Sequence, residues 1–283
     1  MGVDTQHNAF PWTVIGMSSD MRKLAIIEAG MILGDLRTPQ PWKDLLNLAG
    51  TYQVTREDGV KKRAMLVGID SGGHSTQDIY ALCMQNPRMR ALKGCVGSVV
   101  SREKSIVYKV SRAKVREVAT GIGKVDLTMV NITFVKEMIY SHLQAKMAGK
   151  AVGDDWIWPA GFGVDANFFE QVTAEVRRTT SKGYYRYDCL PYRENHFLDC
   201  LVYGITACET VRLIRCDLPV VQAKALLVSM EQPIAPTPAP IPEKKESSQG
   251  NLDTEPENLN KISSLIPDGQ TALKPRKSIK KPL

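Results

Sequence analysis

Hydrophobic residues along this chain fall into short runs first and an alternating series afterwards. Residues 12–17 and 24–29 are apolar and rich in β-branched side chains, with the polar turn Ser18-Ser19-Asp20 between them. With the stub at residues 1–6 they predict a three-strand antiparallel meander. Thr38-Pro39 then opens a helix, Thr as cap and Pro in the first turn, with Trp42, Leu45, Leu46 and Leu48 on one face. Residues 63–69 form a nearly continuous apolar run ending at Asp70, the pattern of a strand buried on both faces. After the turn Ser71-Gly72-Gly73, a helix is expected from about Ser75 to Gln85. Strands follow at 89–92, 106–118 and 125–132, then an amphipathic helix at 134–147 and a shorter one at 167–176. A long apolar helix at about 195–215 closes the series. Strands first and strand–helix alternation afterwards predict an α/β domain built on a mixed sheet.

The pattern stops near Asp217. Residues 1–216 are expected to form one domain, and residues 217–283 a linker and a disordered Pro/Lys-rich tail. The tail contains Pro233-Ile-Ala-Pro-Thr-Pro-Ala-Pro-Ile-Pro242 and then mostly polar residues with no aromatic, too little apolar surface to offset its ordering entropy.

Net charge of +7 suits an acidic partner, nucleic acid above all. The charge concentrates between residues 101 and 124, where Arg102, Lys104, Lys109, Arg112, Lys114, Arg116 and Lys124 face only Glu103 and Glu117. These cations read either as a grip on DNA phosphates or as a solvated hairpin. The six cysteines include no Cys-x-x-Cys pair, and Cys200, Cys208 and Cys216 recur within one apolar helix like small buried side chains. That argues against a structural zinc site. No signal-like start and no membrane-spanning run appear, so reduced thiols and a cytoplasmic location are expected, with no membrane partner.

Three acidic signatures carry the candidate chemistry: Gly2-Val3-Asp4-Thr5-Gln6, Gly68-Ile69-Asp70-Ser71-Gly72-Gly73-His74 and Asn195-His196-Phe197-Leu198-Asp199-Cys200. Each sets an Asp among apolar or glycine neighbours, where a lone carboxylate is costly unless it is solvated, paired or bound to a cation. Asp70 stands at the carboxyl end of a buried strand, where open α/β sheets place ligands, and Gly72-Gly73 allows close backbone approach. Its structural alternative is a helix cap; that of Asp199 is an ion pair with Arg193 or Arg212; that of Asp4 is a polar turn. His74 and His196 are candidate ligands or proton carriers, and Lys93 and Lys136 candidate phosphate contacts or ordinary surface lysines. Other chemistries fit worse. Thr120-Gly121-Ile122-Gly123-Lys124-Val125 lacks the opening Gly and the closing Ser/Thr of a Walker loop, and no Gly-x-Ser-x-Gly elbow is present.

The order of these motifs resembles the nuclease domain of the large terminase subunit of lambda-like tailed bacteriophages, from residue 1 to about 215. The resemblance is carried by the three signatures together with Gly34-Asp35, Thr38-Pro39 and Trp42, Thr76 and Tyr80, Leu92-Lys93-Gly94, Phe168-Phe169-Glu170-Gln171-Val172-Thr173-Ala174-Glu175, and Tyr203. It implies an RNase H-like fold and a two-metal DNA endonuclease, with Asp4, Asp70 and Asp199 as catalytic metal ligands for Mg²⁺ or Mn²⁺. The implied task is cutting concatemeric viral DNA for packaging, with double-stranded DNA as substrate. The small terminase subunit, a separate terminase ATPase and the capsid portal are the implied partners. Full-length relatives carry an ATPase domain ahead of the nuclease, whereas this chain starts at the first catalytic strand, so the nuclease is expected to act without it. Two other readings share the acidic residues: an inactive prophage remnant or docking module that binds DNA or portal, and another RNase H-like nuclease such as a resolvase.

Overall fold

A computed structural model describes residues 1–18, 22–97, 99–100, 104–115, 123–149, 156–158 and 161–217. In chain order the elements are β1 (Gly2–Val3), β2 (Ala9–Met17), β3 (Leu24–Leu33), α1 (Pro39–Thr51), β4 (Gln53–Thr55), β5 (Lys61–Arg63), β6 (Val67–Asp70) and α2 (Thr76–Gln85). They continue as β7 (Met89–Cys95), β8 (Val107–Val115), β9 (Gly123–Asn131), α3 (Ile132–Met147), β10 (Trp156–Ile157) and α4 (Ala166–Val172). The last are β11 (Glu175–Thr179), β12 (Tyr185–Cys189) and α5 (His196–Asp217).

Eight strands form one mixed sheet in the order β10-β3-β2-β1-β6-β7-β9-β8. The β1–β2–β3 meander is antiparallel, as the polar turn at 18–20 predicts, and β8 returns antiparallel on β9. The central run β1-β6-β7-β9 is parallel, each step a crossover. This is the expected mixed sheet flanked by helices.

The core divides across the sheet. On one face Trp42 and Leu45 of α1 and Ile79 and Leu82 of α2 pack with Val3, Val67, Ile69 and Ala91. On the other, Val135 and Ile139 of α3, Phe168 and Val172 of α4, and Phe197, Leu198, Leu201 and Val202 of α5 pack with Ile15, Ile26, Leu92 and Val130. Because side chains alternate along a strand, Val3 and Ile69 point to the α1/α2 side. Gly2 and Gly68 therefore lie under α5.

Those two glycines set how closely α5 approaches. A Cβ on Gly2 would collide with the Cys200 carbonyl and the backbone of Gly204, both in α5. One on Gly68 would lie 2.5 Å from Leu92 Cδ1 and 2.9 Å from the Tyr203 carbonyl oxygen. Gly204 answers from the helix, resting against the Ile15 side chain and the Gly2 nitrogen. Helix backbone thus lies directly on strand backbone.

Several details differ from the sequence pattern. The run at 63–69 becomes a strand only from Val67; Lys61–Arg63 pairs with β4 in a small hairpin. Buried Arg88 fills the space beside it, donating to the carbonyls of Ala64 at 2.6 Å and Ala49 at 3.3 Å. The helix expected at 167–176 ends at Val172, and Glu175 begins β11 instead. Both hairpins escaped the hydrophobic pattern because their strands are short, charged and largely exposed. Thr38 occupies the cap position of α1, but its hydroxyl donates to the Asp35 carbonyl at 2.8 Å rather than capping a helix N–H.

Candidate active site

The Gly-apolar-Asp pattern occurs on two neighbouring parallel strands in register, Gly2 opposite Gly68 and Val3 opposite Ile69. Continuing the alternation one residue brings Asp4 and Asp70 out beside each other on the α5 face, at the carboxyl ends of their strands. Helix α5 then crosses above them. Asn195, immediately before the helix, and Asp199 and Tyr203 on it are spaced four residues apart, so they line one stripe.

Asp4 is buried, 3 % exposed. Its Oδ1 accepts from the Thr5 backbone at 2.9 Å, and its Oδ2 from the Gln6 side-chain amide at 2.5 Å. His196 Nδ1 lies 3.1 Å from the same Oδ2. The bond to Asp4 raises the His196 pKa above its ordinary value, against the opposing effect of burial. The Thr5 hydroxyl donates to the Asp70 backbone carbonyl at 2.9 Å and ties the two strand ends together.

Asp70 Oδ1 accepts from the Tyr203 hydroxyl at 2.8 Å and from the Gly72 backbone at 3.0 Å. Burial raises its pKa, with a further push from the Asp4 charge, while the Tyr203 and Gly72 bonds pull the other way. Asp70 does not cap α2. The Thr76 hydroxyl lies instead between the Ser71 and Gly73 carbonyls, 2.8 and 2.7 Å away, with its single proton shared between them, and closes the Gly-Gly turn.

Asp199 pairs with neither Arg193 nor Arg212. Its Oδ1 lies 2.9 Å from Lys136 Nζ on α3, and its Oδ2 accepts from Asn195 Nδ2 at 3.1 Å. Arg193 reaches toward Glu170, and Arg212 is taken by Glu209 one turn away. Burial raises the Asp199 pKa to about 6, Asp4 and Glu175 adding to the rise and Lys136 opposing it. Asp4 and Asp70 thus stand at neighbouring strand ends, and α5 brings Asp199 to the same side of the sheet, close enough for the Asp4 charge to bear on both.

Sequence reasoning missed a fourth carboxylate and misjudged a lysine. Glu175, 7 % exposed, accepts at Oε1 from both Lys136 Nζ and Asn195 Nδ2, each at 2.6 Å. Its Oε2 is buried without a hydrogen-bond partner. Lys136, 6 % exposed, is no surface lysine; burial lowers its pKa, but Asp199 and Glu175 outweigh that and raise it. A signal for it existed. Lys136 interrupts the stripe Ile132, Val135, Ile139, Leu143 on the face of α3 that turns to the core. Glu175 offered none, because the expected helix placed it on the wrong element.

Lys93 and His74 are exposed. Lys93 follows Leu92, the partner of Asp70 in register, so alternation turns it to the opposite face. Of the basic set, Lys104 and, on the edge strand β8, Lys109, Arg112 and Lys114 are exposed. Arg112 lies 3.6 Å from Asp126, which Arg90 also holds at 2.8 Å. Arg102 and Arg116 fall outside the described residues, as does the tail from residue 218. The thiols of Cys83, Cys95, Cys189, Cys200 and Cys208 are free. Among the described residues no helix is long and apolar enough to cross a membrane.

No curated protein and no solved structure matches the chain. The family model for the endonuclease domain of the terminase large subunit gpA matches residues 1–218, which include all three acidic signatures. The chain belongs to the terminase large subunit gpA endonuclease-domain family, whose nuclease role lies in packaging phage DNA.

Proposed function

We propose that this chain is a metal-dependent endonuclease for double-stranded DNA, with Asp4, Asp70 and Asp199 as the catalytic carboxylates and Mg²⁺ or Mn²⁺ as cofactor. The observation that carries the reading is the in-register pairing of two Gly-apolar-Asp strands beneath the helix that bears Asp199. Acids at adjacent parallel strand ends and on a late crossing helix follow an RNase H-like plan.

The donor set fits a hard divalent cation. Burial and neighbouring negative charge hold the pKa values of Asp70 and Asp199 above the usual carboxylate range, a cost that a cation at the site would relieve. Among the described residues no three His, Cys, Asp or Glu side chains already stand as one metal shell. Asp4 and Asp199 instead rest on His196 and Lys136, bonds that would loosen on metal binding. A bound Mg²⁺ or Mn²⁺ would activate the attacking water and stabilise charge on the leaving 3′ oxygen.

The chain's own residues orient these acids. Tyr203 and Gly72 fix the Asp70 carboxylate, while Asn195 and Lys136 fix that of Asp199. Lys104, Lys109, Arg112 and Lys114, with Arg102 and Arg116 flanking them in sequence, supply positive charge for phosphates. In the packaging reaction the substrate is concatemeric viral DNA, and the partners are the small terminase subunit, a terminase ATPase and the capsid portal.

The test is nicking of supercoiled plasmid by the purified chain with Mn²⁺. Asp70→Asn and Asp199→Asn are expected to lose about two orders of magnitude in rate or more, as when a single electrostatic stabiliser of a transition state is removed. Equal cutting by wild type and Asp70→Asn would make the site assignment wrong.

A further inference from the structure

The β11–β12 hairpin has two faces of different character. Residues opposite each other in an antiparallel ladder share a face, so Arg177 lies with Tyr187, and Arg178 with Arg186. The Arg177/Tyr187 face is docked on α3. Both side chains reach Glu137 at 3.0 Å, and Tyr187 stacks on Tyr140 with centroids 5.1 Å apart. The opposite face carries Arg178 and Arg186, whose side chains are 63 % and 54 % exposed. Lys182 stands exposed in the connecting turn, with no side-chain partner among the described residues.

This outward face is costly to the fold alone. Two guanidinium groups lie directly across the ladder, an arrangement that destabilises a strand pair. One carboxylate, Asp188, serves both, at 2.8 Å from Arg186 and 3.8 Å from Arg178. The Tyr185 ring, which could spread a guanidinium charge, lies under Arg177 on the other face, 3.8 Å from it. A polyanion would offset the repulsion.

The hairpin also starts at the carboxylate cluster. Its first residue, Glu175, shares Lys136 with Asp199. From Glu175 to Thr179 the strand extends about 14 Å. Along that length a duplex presents about eight phosphate charges.

We propose that the outward face of this hairpin, Arg178, Lys182 and Arg186, grips the backbone of duplex DNA and seats it over the acidic cluster. The inference rests on the endonuclease reading above and adds a second contact to the basic edge strand β8. Phosphate contacts of this kind set affinity and position without reading sequence.

Binding of a fluorescently labelled duplex by the full chain, measured by anisotropy in EDTA over a salt series, tests it. Arg178→Gln/Arg186→Gln should weaken binding and reduce the slope of log affinity against log salt by about 2, roughly 0.9 for each phosphate no longer neutralised. Lys182→Glu should weaken binding as well, and Arg178→Lys/Arg186→Lys should keep most of the wild-type slope. All three positions are exposed, so the variants should fold, and relief of the Arg178–Arg186 repulsion should leave the thermal midpoint of the double Gln variant at or above that of wild type. An unchanged slope in both the double Gln variant and Lys182→Glu overturns the proposal. Plasmid nicking separates this from the reading beneath it. A chain that cuts in an Asp70-dependent way with unchanged slopes rejects the grip alone, whereas reduced slopes in a chain that never cuts reject the nuclease site alone.

Discussion

Lys136 is the residue on which the site's electrostatics turn. Two carboxylates and no other cation share its ammonium group among the described bonds, inside a pocket where it is 6 % exposed. Removing one partner of a buried ion pair costs far more than replacing the whole pair, because the remaining charge is stranded. Lys136→Met should therefore lower stability by about 3–5 kcal/mol, read from the midpoint of chemical denaturation. Lys136→Met/Glu175→Leu should recover part of that loss, since Glu175 already carries one unpaired buried oxygen. A double variant no more stable than the single one would show that Glu175 is not the charge left stranded. At this scale the sequence was readable where an unusual residue broke a local pattern. Asp70 announced itself by ending an apolar run before Gly72-Gly73. Glu175 did not, because its partners are 39 and 20 residues away and nothing local distinguishes a buried Glu from a solvated one.

Among the elements, α5 and the two strands under it form the unit that aims the acids. Three glycines, one on each of β1, β6 and α5, remove the layer of side chains that normally separates helix from sheet. Asp199 can then meet acids that stand on the strands themselves. Gly68→Ala would push its methyl into Leu92 and the carbonyl of Tyr203. It should cost about 1–3 kcal/mol, the usual range for overpacking. It should also slow cleavage in protein that is still folded, because Tyr203 and Asp199 move with the helix. Thermal unfolding and nicking rates on the same sample check both effects; a folded variant with wild-type cutting would show that this spacing is not needed. Most elements were legible from periodicity. The helices α1, α2, α3 and α5 and the meander all carry strong apolar patterns with clear breaks. The β4–β5 and β11–β12 hairpins were not, since their short, exposed strands carry no apolar alternation, and the face that β11–β12 docks on α3 is held by polar side chains.

For the whole molecule, the sheet order puts the two-residue strand β1 between β2 and β6, with helices covering both faces. The meander is antiparallel and the crossover half parallel, so the chain changes direction of winding at β1. Ligand sites of open α/β sheets lie where such reversals open a crevice at the strand ends. The mixed architecture was foreseeable from the succession of strands and alternating units. The adjacency of β1 and β6 was not: their pairing spans more than sixty residues and depends on which face each strand buries.

The alternation of Gly2, Val3 and Asp4 leaves this layout sensitive to parity. Were one residue added within that triplet, every side chain before it would exchange sides relative to those after it. Valine would be pressed against α5, or the acid sunk into the layer beneath α1 and α2. Two added residues would restore the original sense of the strand. An odd-length insertion within this triplet should accordingly lower the thermal midpoint more than an even-length one.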